Sequence, residues 1–241
     1  MNKIFIIILL FPGFIFSQIV NIEDKRQSDK TGWSGFTEFI FNYNQSTKTD
    51  WEFSNISYLQ WDKDVWSILF LNEINLDRAG GVDFANDGFQ HLRISHHLNT
   101  KYTLESFLQN QYDPVRKIEN RKLVGSGIRI KFPKIWVVGI SSFYEYEQLS
   151  NNLVNKDFRL NIYTQLSVNF LEHVQFSNIM YFQPKFTNFS DWRFSSEATI
   201  SISLSSKLFF RNSFIVGYDS CPAFEVPNTI CQIKNSVRYK F

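Results

Sequence analysis

The chain has little of several things that would place it in a familiar functional class. Its formal net charge is only +2, and just 2 of its 241 residues are cysteine. A near-neutral charge provides no strong basic stripe for nucleic acid, so nucleic acid is not expected as a partner. The cysteines have neither the spacing nor the partners of a metal site, and no metal or cofactor is expected.

Long apolar runs are also missing after the N-terminal segment. No later stretch of the chain approaches the roughly 20 apolar residues that a membrane-spanning helix needs. If the chain crosses a membrane, it must therefore cross with strands.

The two cysteines, Cys221 and Cys231, lie close together late in the chain. Export would take them to a compartment that permits disulfides. A bridge around a loop of this size would stabilise the fold by about 2–3 kcal/mol. The alternative is that both are simply small apolar residues, and the sequence leaves the two alternatives open.

The first residues have the order of regions found in a secretory signal peptide. Lys3 makes the start positive, residues 4–16 are an apolar run, and Ser17 offers a small residue for cleavage. We expect residues 1–17 to be a cleaved signal peptide, with an uncleaved anchor as the alternative. Residues 18–32 are polar and charged, and are expected to form a periplasmic lead-in.

The chain is rich in aromatic residues and in period-two alternation. Aromatic residues make up 17% of it, with 26 phenylalanines, and they suit pleated surfaces covered on one side. Between Asp157 and Phe170 the apolar and polar side chains alternate strictly, which a helical period would mix. Similar segments predict about 12 strands, at residues 33–43, 51–60, 65–75, 89–98, 102–112, 120–132, 135–147, 157–171, 174–184, 191–204, 208–219 and 229–241.

The predicted connections alternate between short and long. Short turns fall at residues 99–100, 133–134, 172–173 and 205–207, and longer polar loops at 76–88, 113–119, 148–156 and 220–228. Short turns at one end and longer loops at the other are typical of outer-membrane barrels. The expected fold class is therefore all-β: a single antiparallel up-and-down transmembrane β-barrel over residues 33–241.

A soluble sandwich or lipocalin-like barrel would show the same alternation, with its apolar face turned inward. The export signal, the uniform strand length and the last strand favour the membrane barrel. In that strand Val237, Tyr239 and Phe241 share the apolar face, opposite Arg238 and Lys240. Phe241 is expected to face lipid beside the first strand and to serve as a C-terminal signal for the barrel assembly machinery. The expected location is the outer membrane of a Gram-negative-type bacterium, with outer-membrane lipid as a partner.

If the apolar faces meet lipid, the polar faces line the lumen. Counting along the hairpins places Arg121, Glu145 and Arg159 side by side on successive strands, with Glu147 next to them. Opposite charges across neighbouring strands stabilise a sheet. The predicted lumen network comprises Glu105, Gln109, Gln111, Arg121, Arg129, Glu145, Glu147, Arg159, Arg193 and Asp219.

Two further pairs are expected, Glu105 close to Arg129 and Arg193 opposite Asp219. Such pairs either brace and plug a narrow lumen or form a constriction that selects small ions or polar solutes. Both interpretations give a narrow channel or a structural barrel with a charged lumen. A surface-binding or stress-response barrel without transport is the alternative.

An outer-membrane hydrolase is a less favoured alternative. His91, His96 and His97 cluster on one strand near Ser95. However, the stretch lacks the His-x-Ser-Asn-Gly arrangement of membrane phospholipases, and no carboxylate is placed to orient a histidine base. No catalytic residue is therefore predicted.

The middle of the chain resembles a known family. Residues 104–113 read LESFLQNQYD, residues 121–129 read RKLVGSGIR and residues 144–147 read YEYE. This part, roughly residues 90–150, is similar to the domain of unknown function family DUF481, which includes proteins described as salt-induced outer-membrane proteins. The resemblance implies an outer-membrane barrel and brings no catalytic residue, since the family has no established activity.

Overall fold

The computed structural model describes residues 26, 31–45, 49–79, 82–133 and 135–241. The predicted signal peptide, residues 1–17, lies outside the described residues, and so does most of the predicted lead-in. Both stay predictions. Within the described part of the chain, no helix has the length and apolar character needed to cross a membrane.

Twelve antiparallel strands form a closed barrel in which sequential strands are neighbours and the last strand pairs with the first. They are β1 (Gly32–Gln45), β2 (Thr49–Lys63), β3 (Trp66–Ala79), β4 (Val82–His97), β5 (Tyr102–Asp113), β6 (Ile118–Lys131), β7 (Trp136–Leu149), β8 (Val154–Leu171), β9 (Val174–Lys185), β10 (Asn188–Ser203), β11 (Leu208–Asp219) and β12 (Thr229–Lys240). The predicted all-β, up-and-down barrel is confirmed, and each of the twelve predicted strands is present. Because the strand number is even, β1 begins at the same end of the barrel at which β12 finishes.

The connections between the strands differ from those predicted. The region 76–88, predicted as a long loop, is mostly paired strand, since β3 continues to Ala79, β4 begins at Val82, and Leu76 lies opposite Asn86. The polar residues here suggested a loop, but strand propensity depends on context, and backbone pairing in a long hairpin does not require apolar side chains. Of the described connections, the one after β11, residues 220–228, is the longest.

The outside of the barrel is apolar. Large apolar side chains such as Phe39, Leu108 and Phe158 are half exposed or more, and they recur on the outer face of most strands. Soluble monomers rarely expose a contiguous apolar surface of this extent. The orientation is therefore that of a barrel facing lipid, the reverse of the soluble alternative.

The inside is less polar than predicted. Three clusters of buried apolar side chains pack within the barrel, the largest of them on β1 to β4. That wall of the interior is filled with apolar groups because the inward faces of β2 and β3 carry apolar residues as their outward faces do. The clusters are Phe36, Ile56, Tyr58, Leu69, Leu71 and Phe89; Val137, Tyr163, Ile179 and Tyr181; and Phe107, Leu123 and Phe143.

The barrel closes where β1 meets β12 and the residue after it. The backbone N–H of Phe241 donates to the carbonyl of Gly35 at 3.0 Å, and the N–H of Gly35 donates back at 3.3 Å. Glycine is needed at position 35 because a Cβ there would lie 2.6 Å from the backbone carbonyl oxygen of Tyr58 and 2.7 Å from the Phe241 ring. Phe241 therefore lies at the closing edge, while its role as an assembly signal stays a prediction.

The close contact between Gly139 and Tyr163 provides a test of how tightly the interior is packed. Gly139 on β7 lies directly opposite Tyr163 on β8, and a Cβ on Gly139 would collide with the tyrosine ring. We expect Gly139→Val to lower the free energy of unfolding by about 1–3 kcal/mol, as overpacking does. The measurement is the midpoint of the heat-dependent gel shift.

The added change Tyr163→Ala provides the control for this prediction. It should recover part of the stability lost in Gly139→Val, because it removes the ring that the new side chain meets. Simple addition of the two single effects would contradict the proposed contact.

Candidate functional site

We call the two ends of the barrel proximal and distal. The proximal end is where β1 begins and β12 finishes; the distal end carries the connections after β5, β7 and β11. Near the distal end, the Glu145 carboxylate on β7 accepts hydrogen bonds from three guanidinium groups. They belong to Arg121 on β6, Arg159 on β8, whose Nε lies at 2.9 Å, and Arg193 on β10, whose Nη1 lies at 2.7 Å. Glu145 is only 1% exposed, so these charges meet away from bulk water.

Arg193 connects strands that are not neighbours. Besides Glu145, it donates through Nη2 to Glu147 on β7 at 3.2 Å and through Nε to Asp219 on β11 at 2.9 Å. Strands β8 and β9 separate β7 from β10 in the sheet, so the Arg193 side chain crosses part of the lumen. Each of the three guanidinium nitrogens thus donates to a carboxylate on β7 or β11.

The cluster extends along the wall. Arg159 also donates through Nη2 to Asp191 at 2.9 Å, and Lys185 lies 2.8 Å from Asp157. Buried ion pairs of this kind stabilise a protein only when both charges have good partners, and the loss of one partner is costly. We call the following seven residues the distal network: Arg121, Glu145, Glu147, Arg159, Asp191, Arg193 and Asp219.

The structure places all ten predicted lumen residues on the inner face and divides them into groups. Six belong to the distal network, including Arg193 and Asp219, which are directly opposite each other. Glu105 lies nearer the proximal end, where its partners are Arg93 at 2.8 Å and Arg26 of the lead-in. Arg129 is opposite Thr103, two register pairs away from Glu105, which is opposite Gly127.

The remaining two predicted residues lie on β5. Gln109 is within 3.2 Å of the His91 ring nitrogen, and Gln111 is completely buried opposite Arg121. Neither residue is a member of the distal network.

Sequence reasoning missed a second charged cluster at the barrel seam. Glu38 on β1 accepts hydrogen bonds from Arg211 at 2.9 Å, Arg238 at 2.8 Å and the Ser236 hydroxyl. Glu38 and Arg238 are far apart in sequence but directly opposite each other in the β1–β12 pairing. The signal that could have found this cluster is closure itself, because a closed barrel makes the first and last strands neighbours.

One of the three clustered histidines lies in the packed interior. His91 is buried between the rings of Phe89 and Phe107, at 5.9 and 5.6 Å between centroids, and it accepts a hydrogen bond from Arg93. No group of three or more His, Cys, Asp and Glu side chains is arranged to hold a metal ion in the part of the chain that the structure describes. The His91 ring is thus a packed interior group.

The sequence left open whether Cys221 and Cys231 form a disulfide. Cys221 and Cys231 are both free and exposed. Cys231 lies within β12 opposite Val216, whereas Cys221 belongs to the connection beyond the end of β11. Cys231 lies within the paired part of the β11–β12 hairpin and Cys221 lies outside it, so the two thiols do not meet.

Each end of the barrel has a cavity. The distal one, of about 430 Å³, is lined by Arg121, Glu147, Arg193 and Asp219 of the distal network, and lies beneath the connection of residues 220–228. An ion pair of 2.6 Å between Glu225 and Lys117 joins that connection to the one after β5. The proximal cavity, of about 270 Å³, is lined on one side by polar groups that include Ser201, Arg211, Arg238 and Lys240.

Comparison with known proteins gives a family and a fold. A family model described as "Protein of unknown function, DUF481" matches residues 38–241. No curated protein matches the chain.

Three solved structures illustrate the shared fold. The COG4313 outer membrane channel from Pseudomonas putida F1 is 10% identical, with a TM-score of 0.55 over 92% of this chain and 100% of that chain. The translocator domain of the autotransporter NalP from Neisseria meningitidis is 9% identical, with a TM-score of 0.51 over 91% and 92%. The KdgM porin in complex with disordered oligogalacturonate is 9% identical, with a TM-score of 0.50 over 86% and 99%. At such identities the likeness shows the fold alone, that of an outer-membrane barrel.

The central position of Glu145 generates a stability prediction. Glu145→Gln removes the charge that three guanidinium groups share and leaves them buried together. We expect the free energy of unfolding to fall by about 3–5 kcal/mol, the range seen when one partner of a buried ion pair is removed. The midpoint of the heat-dependent gel shift measures the loss.

Glu119→Gln is the matched control for this measurement. Glu119 is exposed and is hydrogen-bonded to Gln148. The same chemical change there should leave the midpoint nearly unchanged. Equal midpoints for the two variants would show that the distal network does not brace the barrel.

Proposed function

We propose that this chain, which belongs to the DUF481 family of proteins of unknown function, is a narrow outer-membrane channel for small polar solutes. In the state described here the distal network holds the channel closed. The observation that carries the proposal is the Arg193 side chain, which crosses the lumen to bind carboxylates on β7 and β11.

The proposed location rests on the orientation of the barrel. Its outer face presents half-exposed apolar side chains, while ion pairs lie inside, the arrangement that a lipid environment requires. The predicted signal peptide would supply export, and the solved structures with this fold include outer-membrane channels and porins. Outer-membrane lipid is the corresponding partner.

The proposed path follows the polar wall formed by β10, β11 and β12. Small hydroxyl side chains face inward along it, among them Thr199 and Ser213, whose oxygens are 2.8 Å apart. Ser195 lies toward the distal cavity, and Ser201 lines the proximal one. Hydroxyl groups can exchange hydrogen bonds with a passing solute, whereas the apolar groups on β1 to β4 cannot. The narrow interior restricts the path to small solutes.

A channel that is closed by ion pairs can be opened again. Each hydrogen bond of Arg193 can be replaced by one to water or to a charged solute, so opening the distal network does not require repacking of an apolar core. The distal cavity lies directly against these groups. A solute entering it would meet Arg193 and Arg121 before reaching the hydroxyl-lined wall.

Planar-bilayer recording tests the proposal. We expect the wild-type protein to show little stepwise conductance, and Arg193→Gln to show discrete conductance steps, because the variant loses the bridge between β7 and β10. The carboxylates of Glu147 and Asp219 lose the Arg193 charge in this variant and should make the open channel cation-selective.

Lys122→Gln is the control for the recordings. Lys122 is exposed on the outer face of β6, beside Arg121 in sequence, and its loss should leave conductance at the wild-type level. A folded Arg193→Gln variant that stays silent would contradict the channel. That result would favour a structural or surface-binding barrel instead.

A further inference from the structure

Arg121 differs from the other two arginines that bind Glu145. Its Nε donates to the Glu145 carboxylate, but its Nη1 and Nη2 donate to none of the residues that the structure describes. In Arg159 and Arg193, by contrast, all three guanidinium nitrogens donate to protein oxygens. The Arg121 side chain is only 4% exposed, and buried polar groups are nearly always paired. Two donors of this guanidinium group are therefore available to an acceptor from outside the protein.

Arg121 is part of the lining of the distal cavity. The volume of this cavity, about 430 Å³, is in the range of pockets that hold small-molecule ligands, roughly 300–1,000 Å³. Arg121 on β6 is directly opposite Glu147 on β7, so it lies at the bottom of the cavity with the rest of the distal network. The connection of residues 220–228 covers the other side. An acceptor for Nη1 and Nη2 can therefore reach them within an enclosed space.

The cavity is apolar on the distal side of Arg121. Ile118 on β6 and Leu149 on β7 are directly opposite each other, two register pairs beyond Arg121 and Glu147. Ile230 on β12 lines the same cavity from another strand, and all three aliphatic side chains are buried. A ligand that reaches Arg121 with one end therefore has the rest of its body among aliphatic groups.

The charged groups of the lining restrict the ligand to one negative charge. Glu147 and Asp219 also line the cavity, and both accept hydrogen bonds from Arg193. The other lining cations, Arg116 and Lys117, have carboxylate partners of their own. A second carboxylate on the ligand would thus meet either like charges or the apolar wall, where a charge is costly to bury.

We propose that the distal cavity binds a small monocarboxylate with an apolar body, such as an aromatic carboxylate. The ligand carboxylate accepts hydrogen bonds from Nη1 and Nη2 of Arg121, in the two-bond geometry that a planar guanidinium favours. Its apolar body packs against Ile118, Leu149 and Ile230. Identification of this ligand as the solute of the channel rests on the proposed function, whereas binding itself does not require conduction.

Calorimetric titration of the detergent-solubilised protein with sodium 3-phenylpropanoate tests the proposal, with a titration into detergent alone as the blank. We expect saturable binding of one molecule per chain. Two matched probes separate the contributions of charge and ring. The amide 3-phenylpropanamide lacks the charge and sodium propanoate lacks the ring, and each should bind at least about tenfold more weakly.

Two variants test the two sides of the cavity. Arg121→Lys keeps the charge but removes the paired donors, and should weaken binding of 3-phenylpropanoate at least about tenfold. Ile230→Thr changes the apolar wall and lies outside the distal network, so it should weaken binding several-fold while the gel-shift midpoint shows that the barrel is folded. Arg129→Lys is the matched control, because Arg129 is near the proximal end of the same strand, opposite Thr103. It should bind the probe as the wild type does.

Absence of one-to-one binding by the wild type would overturn the proposal. So would equal binding by Arg121→Lys and Arg129→Lys, or equal binding of the acid and its amide. The recordings provide a separate test of the channel. Binding by the wild type together with a silent Arg193→Gln variant would support the site and contradict only the channel. Conduction by that variant without any binding by the wild type would overturn the site alone.

Discussion

Closure of the sheet is the constraint on which the rest of this structure depends. A strand that faces lipid cannot leave backbone N–H and C=O groups unpaired, so the sheet must have no free edge. Here β12 pairs with β1, and Phe241 completes the seam against Gly35. The same seam brings Glu38 to Arg238 and Arg211. One backbone requirement thus determines both the shape of the barrel and the position of a buried charged cluster.

The interior combines two kinds of packing with different consequences. Apolar side chains on β1 to β4 fill one wall as an ordinary core would, and moving them would create cavities. The opposite wall is joined by hydrogen-bonded charges centred on Glu145. Charged groups can exchange partners with water or solute without leaving a void. A barrel that needs to open is therefore most easily opened on the charged side.

Much of the fold was predictable because the alternation of side chains along a strand is a local property of the sequence. Alternation located each of the twelve strands and, outside β2 and β3, the face that each side chain takes. The errors came from polar segments: residues 76–88 suggested a loop because their composition is polar, yet they pair through the backbone. The apolar interior of β2 and β3 was also unclear from sequence, since alternation cannot assign faces when both carry apolar residues.

The sequence by itself determined the strands, the faces of those strands that alternate strictly, and some pairs on adjacent strands, such as Arg193 with Asp219. These follow from a period of two and from hairpin lengths, which are local properties. Only the tertiary structure decided that Arg193 reaches Glu145 and that Lys234 reaches Glu73. Those contacts join strands that are not neighbours in the sheet, and they exist because the sheet curves around and closes, which brings distant walls within the reach of one side chain.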